Sequence, residues 1–285
     1  MTSFMAIVLG FVQGVAEFLP ISSSGHLTLF QHFFRMEEPD QLFNVLLHFA
    51  TLLAVCVVYW RDIWEMIVEF FSFFTDLFSH RRYRGNPPEA RRMVLLIIVG
   101  TLPLFLVLPF KDKIEALGRS PVLVCVALLV TGCILFLSDQ MGSGRKTARN
   151  ASLAEVLLVG AAQGLATVPG LSRSGCTISA GLILGFDRKF AVRYSFLMSL
   201  PAVLGATLLE VLDVMETEGG VPAENVPKYL MGMAVAAVVG YFSIQLVKLL
   251  ADRGRFGAFA FYCWGAGGLF LLLNIMGWGQ AAPAV

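Results

Sequence analysis

Gln13-Gly-Val-Ala-Glu17-Phe-Leu-Pro20-Ile-Ser22-Ser-Ser-Gly25-His26 is a polar stretch in an apolar background. The run around it, 4–34, holds no Lys or Arg and one acid, Glu17. A carboxylate, serines and an imidazole are costly at membrane depth unless they face a cavity or a partner, so the stretch reads as a site. A second stretch echoes it: Gln163-Gly-Leu-Ala-Thr-Val-Pro169-Gly-Leu-Ser172-Arg173-Ser174-Gly175.

The background decides the fold class. The chain has 285 residues, 57% hydrophobic and 14% charged, against roughly 25% charged in soluble domains. It therefore reads as one integral membrane domain over 1–285. A formal net charge of +1 says little about partners, because the charges are sorted by loop and not by total; nucleic acid is not expected as one. The five cysteines lie in apolar runs without metal-ligand spacing and read as small buried hydrophobes. No basic residue precedes Arg35, so no cleavable signal peptide is expected.

A spanning helix needs about 20 apolar residues. Six stretches qualify: 43–60, 92–110, 121–137, 190–212, 229–250 and 256–278. Two further runs are interrupted, 4–34 at Pro20 and Ser22–Gly25, and 153–186 at Pro169-Gly170 and Ser172–Gly175. Non-helical backbone at this depth survives only inside protein or around a cavity, so both read as re-entrant hairpins. In 62–92, Asp62, Glu65, Glu69 and Asp76 fall near one helix face, which predicts an amphipathic helix at the interface or an extension of the first span. Arg81-Arg82-Tyr-Arg84 then leads into a loop at Asn86-Pro-Pro88.

On this topology one membrane face collects fifteen basic residues: Arg61, Arg81, Arg82, Arg84, Arg91, Arg92, Arg145, Lys146, Arg149, Arg188, Lys189, Arg193, Lys248, Arg253 and Arg255. The other face has five, Arg35, Lys111, Lys113, Arg119 and Lys228, beside acids such as Glu37, Glu38, Asp40, Asp213, Glu216 and Glu218. The richer face is cytoplasmic, and the first hairpin and both termini lie outside. At a constant offset of 150, Gly10, Gln13, Gly14, Ala16, Ser22, Ser24 and Gly25 match Gly160, Gln163, Gly164, Ala166, Ser172, Ser174 and Gly175. Each half (about 1–147 and 148–285) would hold one hairpin and three spans. Three is odd, so the halves insert oppositely as an inverted repeat.

The chemistry follows from residue types. Gln13 and Glu17, four apart, project from one helix face. Ser22, Ser23 and Ser24 precede a helix, and one of them is expected to cap it. With His26 they supply the parts for nucleophile activation or acid–base work. Arg173 is the only basic residue between Arg149 and Arg188 and sits at a helix start. Free N–H groups, the helix dipole and forked guanidinium donors suit phosphate, with hydroxyls from Ser172, Ser174 and Thr177 and the Gly170 backbone beside them. Asn44 and His48 form a further pair on the first span, readable equally as neighbour-bonded polar groups. His32 and His80 look interfacial and receive no role.

At these residues the chain resembles the undecaprenyl-diphosphatase family, also called the bacitracin-resistance protein. Gln13 to His26 fit the pattern of Glu or Gln, a Glu four residues on, then Phe-Leu-Pro-x-Ser-Ser-x-Gly-His. Pro169 to Thr177 fit Pro-Gly-x-Ser-Arg-Ser-Gly-x-Thr. The resemblance implies hydrolysis of undecaprenyl diphosphate to the monophosphate and inorganic phosphate, with Mg²⁺ or Ca²⁺, in the bacterial plasma (inner) membrane. It implies bacitracin resistance on overproduction and a site opening to the outer face. Carried over, Glu17, Ser23, His26 and Arg173 are central, with Gln13, Ser22, Gly170, Ser172, Ser174 and Thr177 around the diphosphate. A homodimer stays open.

Two departures touch the metal. Gln13 stands where many relatives have an acid, and Asn44 where relatives often have Asp or Glu. Glu17 and Asn44 remain the expected ligands, but hard cations prefer carboxylates. The expected mechanism has Arg173 holding the diphosphate, Ser23 or a water attacking the terminal phosphorus, and His26 and Glu17 handling protons. The competing reading is an inverted-repeat transporter or flippase for lipid phosphate or another anion.

Overall fold

The computed structural model describes residues 2–33, 41–78, 87–141, 144–217, 224–254 and 256–278. Arg35, His80, Arg81, Arg82, Arg84, Asn86 and Arg255, and the acids Glu37, Glu38, Asp40 and Glu218, lie outside them. Among the described residues the fold is all helical, with one isolated bridge between Lys146 and Phe186 in place of any strand. In chain order the helices are α1 (Ser3–Ala16), α2 (Ser23–Phe33), α3 (Gln41–Val58), α4 (Trp60–Phe78), α5 (Glu89–Val107), α6 (Lys111–Gly118) and α7 (Pro121–Gln140). After them come α8 (Leu153–Leu165), α9 (Arg173–Ile183), α10 (Arg188–Thr217), α11 (Val226–Asp252) and α12 (Gly257–Ile275).

Among the described residues, five stretches are each long and apolar enough to cross a membrane: Glu89–Ile114, Pro121–Gln140, Arg188–Leu209, Val226–Asp252 and Gly257–Ile275. The expected first span behaves differently. Leu42–Val58 meets the criterion only together with Trp60–Phe73, and the two are bent by 86°. The amphipathic helix thus begins at Trp60 and turns sharply away from α3 instead of extending it. Its acids explain where it lies: Asp62 pairs with Arg193 of α10, while Glu69 and Asp76 pair with Arg91 at 2.8 and 2.9 Å. The short helix α6 was not foreseen, because Lys111–Gly118 is polar and ends no periodic run.

Large side chains such as Phe105, Leu106, Phe242, Phe261 and Leu272 stand exposed on the outside, as lipid-facing surfaces require. Inside, small residues let backbones touch. A Cβ on Gly10 of α1 would sit 2.3 Å from the Gly232 carbonyl oxygen of α11, and one on Gly160 of α8 would sit 2.1 Å from that of Gly100 in α5. Close approach of this kind replaces the hydrophobic drive that helix pairs lack in lipid. Gly160→Val should therefore force α8 off α5, at about 1–3 kcal/mol. The expected outcome is a lower melting temperature in detergent, whereas Val at Gly205, where a Cβ meets nothing within 4 Å, should change it little.

Both polar stretches are helix–break–helix. α1 starts under a Thr2 cap and ends at Ala16, and the turn through Pro20 leads to Ser22. Ser22 has φ 71°, a left-handed conformation that a serine adopts only under constraint. Its Oγ accepts from Gly25 N at 3.2 Å, making it the capping serine among the three. α8 opens with a capping box of Ser152 and Glu155, and its break passes through Gly170 at φ 96°. Ser172 Oγ then accepts from Gly175 N at 3.0 Å and caps α9. At 13 and 11 residues, α8 and α9 are too short to span.

Candidate active site

The two breaks abut. A Cβ on Gly25 would lie 3.0 Å from the Gly170 Cα, and one on Gly175 would lie 3.4 Å from the Pro20 Cβ. Gly170 is held from behind, where a Cβ would meet the Val124 carbonyl oxygen of α7 at 2.5 Å. Its own carbonyl accepts from Thr131 Oγ1, and the same hydroxyl accepts from Ser172 N at 3.1 Å. The loop is thus anchored to α7 on its far side.

Across this junction Arg173 Nη2 pairs with Glu17 Oε1. The second carboxylate oxygen of Glu17 accepts from Ser23 Oγ at 2.7 Å and from Gln13 Nε2 at 2.9 Å. His48 Nδ1 stands 3.0 Å from the same oxygen and 2.8 Å from Gln13 Nε2. Three expected residues, Arg173, Ser23 and Gln13, therefore converge on the Glu17 carboxylate, and His48, read from sequence with equal weight as a structural group, joins them. The Glu17 side chain is only 4% exposed, while those of Arg173 and His48 are 25% and 29% exposed. The carboxylate is buried, and Arg173 and His48 form its open side.

His26 bonds elsewhere. Its Nδ1 meets the Ser22 carbonyl at 2.8 Å, so Nδ1 carries a hydrogen and donates. Nε2 faces the Tyr262 hydroxyl of α12 at 2.9 Å, the two rings stacked 5.7 Å apart. Sequence reasoning passed over Tyr262 altogether. Its one signal was a phenol among Phe259 and Phe261 in an apolar span, where the hydroxyl needs a partner. Ser174 Oγ reaches the Leu19 carbonyl at 3.4 Å, tying the two breaks again. Thr177 is buried, donating to the Arg173 carbonyl at 2.8 Å and meeting Ser195 Oγ at 2.6 Å, so it braces the first turn of α9.

Asn44 sits one turn before His48 on α3, and its Oδ1 accepts from Gln31 Nε2 at 2.9 Å. Among the described residues no three His, Cys, Asp or Glu side chains gather as a metal group. Gln13 Oε1, however, is buried without a partner next to Glu17. One carboxylate and one free amide oxygen fall short of the six to eight oxygens a Ca²⁺ cage supplies. They do fit the small protein share of a Mg²⁺ ion whose other ligands are phosphate oxygens and water.

Comparison with known proteins gives one answer. The family model described as "Bacitracin resistance protein BacA" matches residues 6–269. A protein of Alkaliphilus metalliredigens named undecaprenyl-diphosphatase is 37% identical over 278 residues, 97% of this chain and 100% of its own. Proteins of the same name from Methanosphaera stadtmanae (39% over 276 residues, 95% and 98% of the two chains) and Geotalea daltonii (40% over 264 residues, 92% and 94%) are similar to it as well.

Proposed function

The chain belongs to the bacitracin resistance protein BacA family, and from that premise we propose that it hydrolyses undecaprenyl diphosphate to undecaprenyl phosphate and inorganic phosphate. Relatives carrying that name match over nearly the whole chain. The observation that carries the chemistry is the ion pair between Arg173 and Glu17 with Ser23 on the same carboxylate. It puts a phosphate-binding group, a base and a hydroxyl within one hydrogen-bonded cluster, all from a single chain.

In this reading Arg173 keeps one arm of its fork on Glu17 and turns the others to the diphosphate, since a guanidinium has five donors. The free N–H groups at the start of α9 add to that hold, with Ser172 and Ser174 beside them and Gly170 shaping the approach. Glu17 takes the proton of Ser23, or of a water in its place, as the oxygen attacks the terminal phosphorus. The bond from that phosphorus to the bridging oxygen breaks, undecaprenyl phosphate leaves, and a phosphoserine, where formed, is hydrolysed by water to release phosphate. Trapping a phosphoserine at Ser23 separates the two routes. His26 has Nδ1 committed to Ser22, so protons move at Nε2, next to Tyr262. A divalent cation, held by Glu17 and Gln13 Oε1, would neutralise charge on the phosphates. Asn44 would join it only by leaving Gln31.

The architecture around this site is read as an inverted repeat of two re-entrant hairpins in one membrane domain. Support comes from an exchange of positions: Gly25 approaches Gly170, and Gly175 approaches Pro20, the same pair shifted by 150 in each direction. Gly10 and Gly160, also 150 apart, each lie against a glycine carbonyl of another helix, Gly232 in α11 and Gly100 in α5. The site is read as opening toward the outer face of the bacterial plasma membrane, as the family resemblance implies; the loop charges support only that the first hairpin enters from that side.

Purified protein in detergent micelles, where transport has no meaning, should release phosphate from undecaprenyl diphosphate. Chelation should suppress release and Mg²⁺ should restore it more fully than Ca²⁺. No release from well-folded protein at any cation concentration would remove the enzymatic reading in favour of a carrier.

A further inference from the structure

The two oxygens of Glu17 are held differently. Oε1 is tied to the second hairpin through Arg173. Oε2 is bonded by Ser23 and Gln13, both of which belong to the first hairpin, as Glu17 itself does. Among the described residues, the contact that ties Oε2 to any element outside that hairpin is His48, at 3.0 Å from α3. That helix packs against both α10 and α11, so His48 brings the frame of the protein to bear on the carboxylate.

Gln13 cannot do this alone. Its Nε2, Glu17 Oε2 and His48 Nδ1 form a triangle with sides of 2.9, 2.8 and 3.0 Å. Without a hydrogen on Nδ1, the Gln13 amide bonds both neighbours and the third side is left as two facing lone pairs. With one, Nδ1 donates to Glu17 and two donors face each other across the Gln13 side. Only two sides can be hydrogen-bonded at once, and in both cases Gln13 Nε2 donates to Glu17; the arrangement with the hydrogen on Nδ1 is the one that ties Oε2 to α3. The other amide atom of Gln13, Oε1, is buried with no partner to fix it.

We infer that His48 is a positioning residue for the reaction, acting through Glu17: with the hydrogen on Nδ1 it holds Oε2 toward Ser23 while Arg173 holds Oε1. This rests on Glu17 being the carboxylate that takes the attacking group's proton. Removing the outer partner of a metal ligand typically costs about 10- to 100-fold, and the same scale is expected for the outer partner of a reacting carboxylate. His48→Ala should lower kcat for phosphate release from undecaprenyl diphosphate by that factor with KM unchanged, because the diphosphate is held by Arg173. His48→Asn places an amide where Nδ1 lies and should recover much of the loss. His48→Gln places its amide nearer Nε2 and should not.

The measurement is steady-state phosphate release in micelles, on variants whose melting temperature and elution match the parent. Wild-type kcat in His48→Ala, a loss confined to KM, or equal rates for the Asn and Gln variants would overturn the inference. If the alanine variant does not fold, the Asn and Gln pair decides. Failure of the parent protein to release phosphate would instead strike the hydrolase reading, so the two failures are distinct.

Discussion

Glu17→Gln is expected to reduce phosphate release by about 10³-fold, within the range found when a positioned acid–base group is lost. The amide keeps the shape of the side chain but removes the charge that every neighbour addresses. Ser23 Oγ, 2.7 Å away, would lose the acceptor for its proton. Arg173 would lose its counter-charge, and an uncompensated guanidinium in a partly buried site should bind the anionic substrate at least as well. The expected signature is therefore a collapse in kcat with KM unchanged or lower. A KM increase with kcat retained would mean that Glu17 serves binding and that the proton goes elsewhere. Since Glu17 is the only acid in 4–34, no neighbouring carboxylate of that stretch can take over.

How much of this was legible depends on what kind of signal each part leaves. The breaks at Pro20 to Gly25 and Pro169 to Gly175 were visible because prolines, glycines and serines interrupt an apolar run, and the helices stop and restart there. Arg173 was visible because a lone charge in such a run has to be accounted for. The near right angle after α3 was not. Tyr59 is an ordinary residue in that position, and the bend answers to ion pairs with Arg91 and Arg193, far along the chain. The same blindness hid Tyr262, whose partner His26 lies 236 residues away. His48 was weighed but not placed, since a histidine in a span reads alike whether its neighbour is a catalytic carboxylate or a structural amide. Motifs report local chemistry; long-range partners have to be read from packing.

Arg173→Lys should fail nearly as completely as Arg173→Ala, with both losing about 10²–10³-fold in kcat/KM, the scale of removing one preorganised donor to a developing charge. Charge alone is preserved by lysine, so a site needing only a cation would tolerate it. This one asks more. Arg173 lies at the first turn of α9, pinned by Thr177 on its carbonyl, and must reach Glu17 while leaving donors free for phosphate. A planar fork can divide itself between two oxyanions, whereas an ammonium on a flexible stem collapses onto the nearer one, which here is Glu17. Lysine would then pair with Glu17, leaving the carboxylate charged and the diphosphate unclamped, so KM should rise along with the fall in kcat. Alanine differs in one measurable way. It strands the buried Glu17 carboxylate, at about 3–5 kcal/mol, and should lower the melting temperature where lysine does not. Near-parental hydrolysis by Arg173→Lys, in protein of unchanged stability, would show that the diphosphate is held by the α9 N–H groups and the cation instead of by the guanidinium.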